Sequence, residues 1–498
     1  MNNSRLLAFF FIAFLSCTGN NYAVKGNSIP GAQIQFSKTG LNYMADVAID
    51  YLNSLIPSVS IPDIEGFLKF TYHLSNIKIE EFNIPKTSDV INFFPPDKLG
   101  VNFDGVSARM SAHYQVKVKV GFIHVSKSGT VDVKIDKTSV DASVAITSSN
   151  GHPYLTSDSC KANFGVFDIK FHGDLLDDII DLFKREIEKH FKSKIEGVIC
   201  KEIENIESDK GNQILGSFPL DIGLGGTFKG FHINYGLTSN TEISPISFTI
   251  PIEGLIYFEG HENDTGVPKP NDVVHPYNTE KYLCIDFDGD RVLGSAAYAF
   301  EVSNLSHFMI DDNILKLFPD NIKNFFKCTC DDGLCIGELI PEIKKNCQPG
   351  KSVAIDCSAI AFPGFHFNST GVYVNGTGNG NFQIVTPDGY NMGLFDLYMD
   401  VGVLLESDLK ITDWVISGDV ELYEYHFEVK NSAIGEIQTK TIQKIIDEAI
   451  KYLIVGIADG ILKNGIPLPK INHLNITNPQ FIFGKELLSV CADFKLSL

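Results

Sequence analysis

The chain has 498 residues and a formal charge of −20, from 41 Lys and Arg against 61 Asp and Glu. That balance excludes nucleic acid as a partner, since a polyphosphate repels such a surface. Hydrophobic residues make up 44% of the sequence, which excludes a disordered chain, and the length allows roughly two to four domains.

At the start, Arg5 precedes the apolar run 6–16, LLAFFFIAFLS. A membrane span needs roughly 17–25 such residues, so the run is too short. Small residues follow at Cys17, Thr18 and Gly19, with a second cleavage point after Ala23. This is the layout of a secretory signal peptide over residues 1–23, and it predicts a secreted, extracellular protein. Ten cysteines include Cys17 in that leader; the remainder enter a compartment that permits disulfides. The sequons at Asn263, Asn304, Asn368, Asn375 and Asn475 predict glycosylation on exposed loops.

Leu41, Met44, Val47, Ala48, Tyr51, Leu52 and Leu55 recur at three- and four-residue spacing, which predicts an amphipathic helix. Pro57 and the following SVSIPD end it. Alternation comes next. Val116, Val118 and Val120 alternate with Lys117 and Lys119, then Val131, Val133 and Ile135 with Asp132, Lys134 and Asp136, and the pattern continues through Val140, Ala142, Val144 and Ile146. Period two predicts antiparallel strands with one apolar face. The segment SKSG (126–129) is expected to be a hairpin connection.

A second long helix is predicted from about Asp174 to Ile206, with Leu176, Ile180, Phe183, Ile187, Phe191, Ile195 and Ile199 as its apolar stripe. So long a stripe needs an equally long apolar partner. From Gly223 to Pro270 the texture turns to Gly, Pro, Asn and short strands, and HENDTGVPKPNDVVHP (261–276) reads as a linker. Beyond it come an apolar helical segment, a cysteine-rich stretch and the strands FQIV, LFDLYMDVGVLL and DVELYEYHFEV. A long helix with Ile442, Ile445, Ile446, Ala449, Ile450 and Leu453 on one side follows, then a closing strand. Each half thus reads helix, meander, long helix, an internal duplication in the order of elements. The halves differ in charge: residues 24–220 hold 21 Lys and Arg against 25 Asp and Glu, and residues 221–498 hold 19 against 36.

Several stretches occur in one order along the chain: PGAQIQFSKTGLNYMADVAIDYL (30–52), INYGL (233–237), IPIEGLIYFEG (250–260), NGIPLP (464–469) and ITNPQFIFGKELLSVCADFKL (476–496). In that order they resemble the bactericidal/permeability-increasing, lipopolysaccharide-binding and plasma lipid-transfer protein family. The resemblance implies an α+β boomerang of two barrels, each a twisted antiparallel sheet wrapped round a long helix, joined by a central sheet. It divides the chain into barrels over 24–235 and 276–498 and a central segment with linker over 236–275. It also implies a disulfide between Cys160 and Cys200. Each barrel is expected to hold a phospholipid or other acyl lipid in an apolar pocket. Met44, Val47, Tyr51, Leu55, Ile180, Phe183 and Ile187 are the candidate lining residues; ordinary core is the competing reading for each.

Two features depart from the family pattern. Members that bind lipopolysaccharide cluster Lys and Arg at the first barrel's tip, whereas LNSLIPSVS (52–60) has no basic residue. Lys117, Lys119 and Lys127 on the neighbouring hairpin are the candidate anionic-lipid contacts. The second half also carries a cysteine cluster, CTCDDGLC (328–335) with Cys347 and Cys357. Small disulfide loops are expected there in preference to a zinc knuckle, because the compartment is oxidising. How Cys284, Cys328, Cys330, Cys335, Cys347, Cys357 and Cys491 pair is open, and seven cannot all pair internally.

DFDGD (286–290) has Arg291 where a calcium loop needs glycine and Ala297 where it needs a bidentate glutamate, so a strand-ending turn is expected. GLGGTFKG (223–230) lacks the P-loop Lys-Ser/Thr pair. Neither a G-x-S-x-G elbow nor H-E-x-x-H is present. No enzyme, metal or cofactor is expected. The expected function is lipid carriage or transfer with peripheral membrane contact. The alternative is an innate-immune protein that binds bacterial lipopolysaccharide with antibacterial action.

Overall fold

Antiparallel pairing of long strands dominates the computed structural model. The described residues are 29–496 apart from 60, 68–69, 88, 121–122, 174–179, 181–183, 186–187, 190–191, 194–195, 198–199, 202–211, 213–215, 217–219, 225–228, 271–279, 305, 317–319, 332–334, 362, 369, 407–408, 413–414, 439, 441–442, 444–445, 448–465 and 468–473. The predicted signal peptide lies outside them.

The first sheet orders Ile64–Phe67, Phe70–Asn83, Lys98–Val120, Ile123–Ser149 and His152–Asn163, with Ile91–Phe94 and Val166–His172 on its flanks. Its two longest strands have 23 and 27 residues, far beyond the usual five or six. Strands this long stay in one sheet only by curling. Register shifts between Phe103 and Val106 and between Ser143 and Val144 supply that bend. The predicted alternation is seen: Val131, Val133 and Ile135 are buried while Asp132 and Lys134 are exposed.

The segment SKSG is not the hairpin connection. It lies inside the strand Ile123–Ser149, with Lys117 opposite Ser126 and Val116 opposite Lys127, and the pairing closes at Val120 and Ile123. Gly129 serves close approach and not a turn, since a Cβ there would stand 2.6 Å from the Tyr114 hydroxyl.

The helix Lys38–Leu55 starts where Ser37 Oγ accepts from the Gly40 amide at 3.0 Å. It buries Leu41, Met44, Ala45 and Ile49 against Leu99, Val144, Ile146 and Leu155 of the first sheet and Phe248, Leu283 and Phe494 of the central sheet. That central sheet orders Glu242–Ile243, Ser247–Ile252, Ala32–Ser37, Leu283–Asp288, Leu487–Leu496 and Leu474–Gly484. Strands from both sides of the linker therefore share one hydrogen-bonded layer.

DFDGD does not form a strand-ending turn. The strand Leu283–Asp288 runs directly into the helix Gly289–Val302, and the Asp288 carboxylate accepts from the Arg291 amide at 2.7 Å as its cap. Asp286 is fully buried, and Gln33 Nε2 and Gln35 Nε2 donate to its Oδ2 at 3.1 and 2.6 Å. A buried carboxylate needs such donors to offset its lost hydration. The Arg291 side chain donates to the Pro268 carbonyl at 3.0 Å and to Glu253, pinning linker to central sheet.

The second sheet orders His307–Ile310, Ala354–Ala359, Gly371–Val385, Asn391–Glu406 and Val420–Lys430, with Gly364–Asn368 beside Gly371–Val385. Short helices Asp320–Phe325, Ile336–Leu339 and Pro341–Asn346 close its far end around Phe326, Ile336 and Ile343. Disulfides Cys328–Cys347 and Cys330–Cys335 staple that cap, so the cluster is disulfide-bonded. Cys160–Cys200 and Cys284–Cys491 are also bonded, and Cys357 is the free thiol among the described residues.

Burial, and secondarily the neighbouring Asp356, pushes the Cys357 thiol up to about 12. Only the thiolate is nucleophilic, so a raised value means lower reactivity at neutral and mildly alkaline pH. Iodoacetamide at pH 8 is expected to alkylate Cys357 at least about tenfold more slowly in the native protein than in a denatured, non-reduced control. Equal rates, followed by peptide mass spectrometry, would refute a buried neutral thiol.

Of the long second helix, the described positions 180, 184–185, 188–189, 192–193, 196–197 and 200–201 are helical. Leu176, Phe183, Ile187, Phe191, Ile195 and Ile199 lie outside the described residues. In the last predicted helix, 440, 443 and 446–447 are helical and Ile446 is buried; Ile442, Ile445, Ala449, Ile450 and Leu453 lie outside. Among the described residues no helix is long and apolar enough to cross a membrane.

Candidate functional site

Cross-strand register places the inner face of the first sheet in rows. From the tip inward they are Phe70–Val118–Val125, Tyr72–Val116–Lys127, Leu74–Tyr114–Gly129, Ala112–Val131–Phe171, Met110–Val133–Ile169 and Ala108–Ile135–Phe167. This is an apolar wall with one cation in it. Tyr114 meets Phe171 edge-on, with ring centroids 5.3 Å apart. The described part of the second helix lies against the sheet's rim. Lys192 Nζ sits 5.5 Å over the Phe167 ring, and Glu196 accepts from the Ala162 amide at 3.2 Å.

The second sheet repeats this plan. Its inner rows include Ile355–Phe382–Phe395, Cys357–Gly380–Leu397–Val429 and Gly378–Met399–Phe427, while the edge residue Phe308 is 46% exposed. The Phe382 and Phe395 rings stack at 4.5 Å. Gly376, in the next row with Val401 and Tyr425, has nothing within 4 Å of where a Cβ would stand. The space is local to Gly376, since a Cβ at Gly378 or Gly380 would meet Ser358 or Ile355 at 3.3 and 3.0 Å.

The sequence-predicted residues divide by place. Met44 is 2% exposed, inside the core that joins the first helix to both sheets. Val47 is half-buried on the same helix. Tyr51 and Leu55 are helical, with side chains outside the description. Ile180 is helical and half-buried; Phe183 and Ile187 lie outside the described residues.

The three lysines separate. Lys117 is exposed on the outer face, in the row Phe67–Thr71–Lys117–Ser126. Lys119 has the same parity, and its side chain is outside the description. Lys127 belongs to the inner columns. Periodicity missed this because a turn has no face, whereas strand parity assigns Lys127 to the side of Val131 and Val133. Also unread in the sequence is Phe67, 80% exposed at the end of the row that holds Lys117. Nothing local marks an exposed phenylalanine as different from a core one.

On the outer face His73, Ser75, His113, Gln115, Ser128 and Thr130 line a polar cleft of about 510 Å³. Among the sequon residues Asn263, Asn304, Asn375 and Asn475 are exposed and Asn368 is half-buried.

Residues 40–217 match the family model described as the LBP / BPI / CETP family, N-terminal domain, and residues 229–496 match the C-terminal domain of the same family. The chain belongs to the LBP / BPI / CETP family. A bactericidal permeability-increasing protein of Sebastes schlegelii is 22% identical over 478 residues, covering 94% of this chain and 96% of that one. A phospholipid transfer protein of Homo sapiens is 17% identical over 491 residues, covering 98% and 94%. A solved structure of lipopolysaccharide binding protein superposes with a TM-score of 0.60 at 16% identity, over 94% of this chain and 99% of that one. The likeness establishes the fold. In this family member both sheets turn apolar faces inward and meet through the shared central sheet, the α+β boomerang of two barrels.

Proposed function

We infer that this protein is secreted after loss of residues 1–23 and carries single phospholipid-like molecules, one in each of two barrels over 24–235 and 276–498. The observation that carries the reading is the pair of apolar inner walls, one on each long sheet. Each methylene buried against such a wall contributes roughly 0.8 kcal/mol, so two acyl chains hold a lipid firmly without any polar contact. Val47 and Ile180 are the described candidates to line the first pocket, with Met44 supporting it from the core; Phe183, Ile187 and the side chains of Tyr51 and Leu55, expected beside them from the sequence, lie outside the described residues. Exchange then needs contact with a membrane. Exposed Phe67 shares the outer row Phe67–Thr71–Lys117, so an aromatic anchor and a cation that can approach lipid phosphates face the same side, which suits peripheral contact.

A second reading, binding of bacterial lipopolysaccharide with an antibacterial role, is favoured by what the relatives' names say of those proteins and by the same Phe67–Lys117 row. The helix end over 52–60 without a basic residue weighs against it.

Purified full-length protein is expected to carry up to two lipid molecules per chain by native mass spectrometry. Solvent extraction then names the lipid: diacyl phospholipid supports carriage, and lipid A after exposure to lipopolysaccharide supports the second reading. A spectrum of apo mass alone would sink both.

A further inference from the structure

We propose that Lys127 makes the first pocket selective for acyl lipids with an anionic head group, phosphate or carboxylate. The inference rests on the lipid-carrier reading and specifies the ligand of that pocket.

Lys127 stands in an inner column whose other members, Val125, Gly129, Val131, Val133 and Ile135, are uncharged. Its cross-strand neighbours Val116 and Tyr72 are 0% and 2% exposed. None of the residues in the six inner rows is acidic. Lys127 itself is half-buried, with no ion pair or hydrogen bond to a described residue. Described lysines elsewhere on this sheet, such as Lys117, Lys134 and Lys170, lie in exposed columns.

A half-buried ammonium without an anion loses hydration and recovers little from an apolar wall. A lipid acid bound along that wall supplies the missing charge. Its head group meets Lys127 near the tip, and its chains lie on the deeper rows through Val131, Val133 and Ile135. A zwitterionic head group brings its own cation to the same place and gains less. The outward Lys117 contacts a membrane surface, while Lys127 acts on the occupant.

The test uses full-length protein, stripped and reloaded from an equimolar mixture of phosphatidylcholine, phosphatidic acid and oleate, with bound lipid quantified by mass spectrometry. Wild type is expected to be enriched about tenfold in an anionic lipid, in line with a charge-assisted hydrogen bond. Enrichment of phosphatidic acid alone assigns phosphate; enrichment of oleate as well assigns any anionic group. Lys127→Met keeps the aliphatic stem, so lipid per chain is expected to persist while the enrichment disappears. Lys134→Met, on the outer face, is the control expected to retain it. Wild type loading all three lipids equally overturns the inference while the carrier reading stands. So does Lys127→Met with enrichment intact, or an equal loss in both variants, which would mark general surface electrostatics. Protein that takes up no lipid overturns the carrier reading as well.

Discussion

Replacing both Cys284 and Cys491 by Ala is expected to cost more stability than removing any other disulfide. The two residues face each other on neighbouring strands of the central sheet, with Cα atoms 4.0 Å apart, and are separated by 207 residues in sequence. A cross-link acts mainly on the unfolded chain, where it forbids the conformations of the closed loop. By the chain-entropy relation a loop of 207 residues corresponds to about 5 kcal/mol, the 40-residue loop of Cys160–Cys200 to about 4, and the 5-residue loop of Cys330–Cys335 to about 2. Domain stabilities run to about 5–15 kcal/mol, so the largest of these is a substantial part of the whole. Both sulfurs belong to residues 1% exposed, and Ala leaves no unsatisfied polar group behind. The expected result is a sharp fall in folded yield and melting temperature for the 284/491 pair, an intermediate fall for 160/200 and a small one for 330/335. Melting temperatures of the three double variants decide it. Equal shifts, or the reverse order, would show that local geometry and not loop length sets the contribution.

What was legible in the sequence was facing, and what was not was partnership. Alternation at Val131, Val133 and Ile135 names an inner face because strand side chains repeat every two residues. The spacing of Leu41, Met44 and Leu52 names a helix stripe for the same kind of reason. Neither says what lies opposite. Cys284 and Cys491 look alike in sequence to Cys328 or Cys357, and only strand register distinguishes them. Asp286 offered a metal-loop motif, but its partners are Gln33 and Gln35, roughly 250 residues earlier by their separations of 253 and 251. The site shows the same division. The apolar walls are readable, whereas the side on which Lys127 stands is not, because Ser126, Ser128 and Gly129 carry turn propensity that the hydrogen-bonded ladder overrides. The pairing of Cys160 with Cys200 came from family resemblance and not from local pattern.

Among single substitutions in the joint between the halves, Phe494→Ala is expected to give the largest loss. Phe494 is 1% exposed and meets Tyr43 and Tyr282 edge-on, with ring centroids 5.8 and 5.4 Å apart. Tyr43 and Tyr282 stack on each other at 5.1 Å. One ring comes from the first helix, one from the residue leading into the strand Leu283–Asp288, and one from the last strand, so the cluster locks three distant segments. The Tyr43 hydroxyl also accepts from the Leu496 amide at 3.3 Å, holding the chain beyond Phe494 in place. Burial first, and then the negative charge of Asp493, keeps the Tyr282 hydroxyl above its ordinary range, so it stays neutral and compatible with this apolar packing. Truncating a buried phenylalanine costs about 3–5 kcal/mol through lost transfer energy and the cavity left behind. Each edge-to-face contact contributes about 0.5–1.5 kcal/mol within that loss. Phe494→Leu keeps most of the volume and is expected to cost about half as much. In denaturant titrations Phe494→Ala and Tyr43→Ala should also be non-additive, because the two rings share one contact. A cost for Phe494→Ala below about 1 kcal/mol, within the range of ordinary surface substitutions, would mean that the central sheet holds the halves together without this cluster.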